Sequence, residues 1–367
     1  MRPIAVIVAL ATLPALAAEP EYPHWYGQES IEQYAKRAGL EPAKTIDLGD
    51  GVTMQFVLIP AGTFTMGTPE PEPVDEQRYG THIRIGVAAF VLGVCALLVL
   101  LSTVLSRAIR EQRPLQVSLT RMLVLAFVAG IALLGGMHWY HWARGFAEAQ
   151  DEYYTALARF RSSSSAENLA AERTLTQPYY MGKYEVTQEQ YLQVMGSNPS
   201  HFKGSDLPVE QVWWDQAQTF CWKVSSMPGI AIRLPTQAEW ERACRAGTRT
   251  TYYTGDSEAD LDRAGWHKKN SNGTTHPVGQ MIPNQWGICD MHGNVVEWCV
   301  DWCASGKAAN LEDAQGRTEG PFRVLRGGSW DDPSHDCRSS ARGRGFREDI
   351  ALRIVGFRVV LSLPEAP

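Results

Sequence analysis

The chain has 367 residues, with 34 Lys and Arg against 40 Asp and Glu, giving a formal net charge of −6. That balance excludes a general nucleic-acid binder, which needs a clustered basic surface. A content of 44% hydrophobic and 20% charged residues excludes a disordered chain, and 32 glycines without a repeat exclude a fibrous one.

In chain order, Arg2 precedes an apolar run, Ile4–Leu16, that closes on small residues through Ala18. A basic start, a short apolar core and an Ala-rich exit predict a secretory signal peptide over Met1–Ala18. Residues 19–44 follow as a polar, aromatic N-terminal segment with a short helix around Gln28–Arg37. Two charge-free apolar runs come next, Ile85–Leu105 and Met122–Tyr140. Each is long enough to cross about 30 Å of hydrocarbon at about 1.5 Å per residue. The linker between them carries Arg107, Arg110, Arg113 and Arg121 against Glu111. A basic loop of this kind stays in the cytoplasm. The pair therefore predicts a transmembrane helical hairpin in the inner (plasma) membrane, with the main domain on the periplasmic, extracytoplasmic side. Trp139, Tyr140 and Trp142 read as an interfacial aromatic belt, with His138 and His141 beside it rather than as metal or haem ligands. A juxtamembrane helix then runs to Arg161, and Ser162–Ser165 forms a flexible link.

Cys95 falls in the first run, and the other six cysteines (Cys221, Cys244, Cys289, Cys299, Cys303 and Cys337) fall on the exported side. An even number in an oxidising compartment predicts disulfides, with 15 pairings open for six thiols. No zinc-ligand spacing is present. From Tyr179 onward the chain is dense in Trp, Gly and turn residues, with nine of its twelve Trp between Trp213 and Trp330. Helices are expected at Thr187–Met195, Trp214–Val224 and Gln237–Arg245, the last capped by Thr236 ahead of Glu239. Short strands and long loops fill the remainder.

Six ordered motifs run through the chain. They are Phe56–Gly67 (FVLIPAGTFTMG), Met181–Thr187 (MGKYEVT), Arg233–Glu241 (RLPTQAEWE), Gly293–Trp298 (GNVVEW), Arg326–Trp330 (RGGSW) and Gly356–Arg358 (GFR). Together they resemble the formylglycine-generating enzyme (sulfatase-modifying factor) family. The resemblance implies an α+β fold, a variant of the C-type-lectin-like fold with little regular secondary structure. It covers residues 45–76 and 173–362, so the domain is discontinuous and the hairpin is an insertion over 77–172.

By the same resemblance, the enzymes oxidise a cysteine in a Cys-x-Pro-x-Arg segment to formylglycine, using two thiolates that hold Cu(I). The corresponding segment here, Ser329–Arg338, contains one thiol, Cys337. Aligned from Ser329, the first cysteine position is Asp332 and the second Cys337; aligned from Arg338–Arg342, the loop is shorter and both are absent. A tryptophan expected near the oxygen site falls at Val296. Cys337 is thus the only candidate catalytic thiol, and copper is not expected. The resemblance also implies a Cys244–Cys337 disulfide. Ser329, Trp330, Asp332 and His335 are the candidate ligand-pocket residues.

A family calcium site maps onto Asp290, the carbonyls of Gly293 and Val295, and Glu297, which are hard oxygen donors on a tight turn. A second family site is degraded, with Gly265 in place of a side-chain ligand and Asn270 remaining. Iron-dependent sulfoxide synthases share the domain but draw their histidines from a helical domain that has no counterpart here; a pyoverdine-maturation relative also shares it. The expected function is a calcium-stabilised binding or scaffold module, membrane-anchored, with an exported protein or peptide as ligand and no nucleic acid. The alternative is an oxidoreductase that modifies an exported protein, as in sulfatase maturation.

Overall fold

The computed structural model describes residues 22–68, 76–111, 129–130, 133–145, 147–148, 170–303 and 320–363. The chain divides into two compact units, 1–69 with 164–367, and 70–163.

The larger unit is a mixed α+β domain, the architecture expected from the sequence. It opens with helix α1 (Ile31–Ala38), where Ser30 and Gln33 cap each other reciprocally and Gly39 closes the end in the left-handed region at φ 69°. Strands β1 (Ala43–Gly49), β2 (Val52–Ile59), β3 (Gly62–Met66), β4 (Ala171–Leu175) and β5 (Tyr179–Gly182) follow. β6 (Ile232–Arg233) and β13 (Val360–Leu361) complete a five-stranded sheet in the order β1-β2-β5-β13-β6. β3 and β4 pair antiparallel with Thr63 opposite Thr174 and Thr65 opposite Glu172, which brings together the two sequence segments of this unit.

A second sheet joins β11 (Arg342–Phe346), β10 (Phe322–Arg326), β9 (Val296–Cys303) and β12 (Val355–Gly356) in that order. A parallel pair of two-residue strands, β7 (Gly265–Trp266) and β8 (His292–Gly293), sits beside them in the chain order. The backbones of this pair pass so closely that a Cβ on Gly293, at φ +81°, would lie 2.0 Å from the Trp266 carbonyl oxygen. Only glycine serves there.

Three of the next four helices fall close to their expected bounds, and the last, opened by a Ser257–Asp260 capping box, lies beyond those expected. α3 is Gln188–Met195, α4 Trp214–Ser225, α5 Gln237–Arg245 and α6 Glu258–Ala264. Thr236 Oγ1 accepts from Glu239 N at 3.1 Å, and Glu239 Oε2 accepts from Thr236 N at 2.8 Å. All nine residues of α5 are buried. A polar helix can lie in the interior only if its charges find partners there, and α5 organises the site for that reason.

The smaller unit contains α2 (Glu76–Glu111), a helix of 36 residues. Among the described residues no helix is long and apolar enough to cross a membrane, so the expected transmembrane hairpin is corrected. The first of its two segments lies inside a helix that starts and ends in charged turns. The second, Met122–Tyr140, is described only at 129–130 and 133–140, and the rest of it lies outside the described residues. The stretch read as a signal peptide, Met1–Ala18, lies outside the described residues, as do most of the Arg107–Arg121 linker and Ser162–Ser165.

Candidate functional site

The motifs meet in two buried charge clusters around α5. In the first, Glu241 Oε1 accepts from Gly67 N at 2.8 Å and from Arg245 Nε at 2.9 Å. Its Oε2 pairs with Arg326, whose Nη1 also donates to the carbonyls of Ser340 at 2.8 Å and Ala341 at 2.7 Å. Burial alone would raise the Glu241 pKa, yet the Arg326 and Arg245 charges outweigh it and hold the carboxyl below its ordinary range.

In the second, Arg358 donates through Nε and Nη2 to the two oxygens of Glu297, each at 2.7 Å. Trp240 Nε1 adds a third donor to Glu297 at 2.7 Å. Arg358 reaches further, to the carbonyls of Gly182, Cys289 and Asp290. These two clusters tie the first motif to the third and fifth, and the second to the third, fourth and sixth.

The turn at Gly293 hangs from Glu185, a fully buried acid that accepts from Asn294 Nδ2 at 2.7 Å and Val295 N at 3.1 Å. Burial first, then the nearby Asp290 and Glu297 charges, raise the Glu185 pKa well above the ordinary value. Asp290 accepts from Gly279 N at 2.6 Å through Oδ2, while its buried Oδ1 has no partner. Burial pushes the Asp290 carboxyl up to about 6, against the Gly279 N–H and the Arg358 charge.

These positions allow a test of the calcium set. Asp290 offers a free, buried oxygen, as a cation ligand should. Glu297 does not: its oxygens already serve Arg358 and Trp240. No group of three or more His, Cys, Asp or Glu side chains among the described residues is arranged to hold a metal. Of the side chains in the set, Asp290 alone has an oxygen to spare for Ca²⁺. At the second family position, Asn270 is spent locally: Nδ2 donates to the Gly265 carbonyl at 3.0 Å and Oδ1 accepts from His267 N at 2.7 Å.

The loop after Gly328 brings together some of the predicted pocket residues and separates others. Ser329 Oγ donates to Asp332 Oδ2 at 2.6 Å. Trp330 is buried, with its N donating to the Asn294 carbonyl at 2.9 Å and its Nε1 to that of Arg353 at 3.0 Å. Its ring meets Phe202 edge to face at 5.5 Å. His335 stays exposed, 3.6 Å from Asp336. Val296 is buried in β9. Cys337 is fully buried, and a Cβ on Gly328 (φ +71°) would stand 2.6 Å from its sulfur. Burial, reinforced by Asp332 and Asp336, pushes the Cys337 thiol far up.

No disulfide is seen among the described residues, and Cys244 and Cys337 are both free, which corrects the expected bridge. The imidazole of His292 links their two segments instead. Nδ1 donates to the Cys337 carbonyl at 2.7 Å, and Nε2 faces Cys244 Sγ at 3.9 Å and accepts from Tyr253 N at 3.2 Å. This bonding pattern assigns the proton to Nδ1, and burial keeps the ring neutral, its pKa near 3. Glu185, Glu241, His292 and Arg358 were given no role by sequence reasoning. The first, second and fourth lie within the motifs, which was the available signal.

A domain with this layout and these clusters belongs to a recognised family. Residues 143–363 match the sulfatase-modifying factor enzyme 1-like domain family, and the chain is a member of it. Among curated relatives, the chain is 31% identical over 231 residues to chaperone protein LppX of Paenibacillus barcinonensis, covering 48% of this chain and 79% of LppX. It is 26% identical over 338 residues to the inactive Cα-formylglycine-generating enzyme 2 of Bos taurus, covering 88% and 93%. It spans only 26% of the length of serine/threonine-protein kinase pkn1 of Chlamydia pneumoniae, and 53% of this chain is matched there at 32% identity. Among solved structures, PvdO from Pseudomonas aeruginosa superposes with a TM-score of 0.54 at 20% identity, covering 88% of this chain and 99% of that one, a likeness of fold.

Proposed function

We propose that the protein is a binding or scaffold module built on the sulfatase-modifying factor domain, without copper-dependent formylglycine-generating activity. The observation that carries this reading is Cys337. It is the one thiol of the Ser329–Arg338 loop, and it lies in the core as a protonated thiol. A thiolate, not a thiol, ligates soft metals and attacks substrates. Two relatives, one named a chaperone and the other an inactive enzyme, support a role in holding a client protein. The loop from Asp331 to Asp336, partly exposed and acidic, is the surface offered to that client. Calcium is assigned a stabilising part through the spare oxygen of Asp290, with the Gly293 and Val295 carbonyls as further donors, while Glu297 stays with Arg358 and Trp240.

The test is to incubate the protein with a Cys-x-Pro-x-Arg peptide, Cu(I) and oxygen, and to follow the peptide by mass. An unchanged peptide is expected. Copper-dependent conversion of its cysteine to an aldehyde, lost in Cys337→Ser, would contradict the reading.

A further inference from the structure

A cavity of about 360 Å³ opens beside the C-terminal end of α5. Its walls come from segment 24–27, the β3–β4 pair, the turn after α5, and Trp286. Trp25 is held by its backbone N, which donates to the Ala61 carbonyl at 2.8 Å, and by Nε1, which donates to that of Glu29 at 3.0 Å. It meets Trp286 edge to face, with centroids 5.3 Å apart. Gly247 lies at φ +90°, and a Cβ there would stand 2.5 Å from the Trp25 ring. The glycine is what allows the indole to lie across the helix end.

Arg242 lines the same cavity and is 2% exposed. Its Nε donates to the Pro60 carbonyl at 2.9 Å, and its buried Nη2 has no acceptor among the described residues. The guanidinium lies 5.6 Å from the Trp286 centroid and 5.7 Å from that of Phe64. Aromatic faces reduce the cost of burying a cation but do not neutralise it. Arg245, also in the wall, is spent on Glu241 and on the Gly67 and Thr250 carbonyls. Arg249 is exposed at the rim, and the one acid in the lining, Glu172, is exposed as well. Burial disfavours the Arg242 charge here, so an anionic partner would be stabilising.

We propose that this cavity is a ligand site for a small organic carboxylate with an aromatic or bulky apolar body. The carboxylate accepts from the terminal nitrogens of Arg242, for which the planar guanidinium is shaped, and the body packs against Trp25 and Trp286. The site shares no residue with the Ser329–Cys337 loop, and it stands or falls independently of the role proposed for that loop.

Calorimetric titration of the full chain with phenylacetate, phenethylamine and inorganic phosphate tests it. Phenylacetate is expected to bind saturably below about 10 mM, phenethylamine not to bind, and phosphate to bind more weakly than phenylacetate. Arg249→Glu, at an exposed position, should weaken phenylacetate roughly three- to tenfold by placing a negative charge at the mouth. Arg242→Met should abolish binding, and if that variant does not fold, Arg249→Glu decides. Four results would overturn the proposal: no phenylacetate saturation, equal binding of the amine, phosphate as tight as phenylacetate, or affinity unchanged in Arg249→Glu.

Discussion

Glu297 and Arg358, 61 residues apart in sequence, grip each other through both carboxylate oxygens at 2.7 Å, and both are almost completely buried. The pair joins β9 to the segment that leads into β13, and Trp240 of α5 closes it from a third side. The sequence signature of this family is therefore, in this chain, largely a set of interior electrostatic joints. A framework of that kind can be kept while the loops that do chemistry change.

Breaking the joint should be costly. Glu297→Gln leaves a buried guanidinium without its counter-charge, and a loss of about 3–5 kcal/mol is expected in urea unfolding. Arg358→Met should be worse, because Glu185 and Asp290 then face Glu297 without a cation. The double variant should cost less than the sum of the two, since neither partner is left charged alone. Additive losses would show that the two side chains do not act as a pair.

Asp290 predicts a pH dependence. Its pKa rises from 3.8 to about 6 on folding, so its contribution is fully present below about 4 and is lost as pH rises through about 6. Wild type should therefore lose on the order of 3 kcal/mol relative to Asp290→Asn between pH 4 and 7, at about 1.4 kcal/mol per pKa unit. Glu241 runs in the opposite sense but is common to both proteins and cancels, whereas Glu185, raised in part by the Asp290 charge, runs in the same sense as Asp290 and deepens the wild-type loss. Parallel stability curves would contradict the assignment.

Calcium should act on the same carboxylate. With a Kd of about 10⁻⁴–10⁻³ M, a tenfold excess contributes roughly 1.4 kcal/mol, or about 3–6 °C in Tm. Protons compete for Asp290, so the gain should be larger at pH 7.5 than at pH 5 and absent in Asp290→Asn. Equal melting with calcium and with chelator at both pH values would remove the ion from the account.

Gly293→Ala probes the turn that carries these groups. The methyl would stand 2.0 Å from the Trp266 carbonyl oxygen at a backbone φ of +81°. A loss above about 2 kcal/mol is expected from strain and overlap together. A change within about 0.5 kcal/mol would mean that β7 and β8 can separate freely.

How much of this could be read from the chain depended on the range of the interaction. Thr236 and Glu239 announced α5 because a capping box is local, and the bounds Gln237–Arg245 were reached directly. The two-residue strands β6, β12 and β13 carry no periodicity, and their places in the sheets are set by partners far away. The long-range acid–arginine pairings are likewise invisible in sequence, because Glu241 and Arg326 are 85 residues apart. The cavity beside Arg242 joins residues from 24 to 286. Apolar length errs in the opposite direction: a continuous apolar run predicts a membrane span, whereas no described helix meets the length and apolarity of one.

On the function proposed above, the one thiol of the Ser329–Arg338 loop belongs to the core and not to a reactive centre. Alkylation with iodoacetamide, followed by peptide mapping of Cys337, tests it most directly. In the native protein Cys337 should remain unmodified, because it is buried and its pKa is raised well above the ordinary thiol value. On unfolding without reductant it should react fully, since the thiol is free. Rapid, stoichiometric alkylation of Cys337 in the native protein would contradict the account.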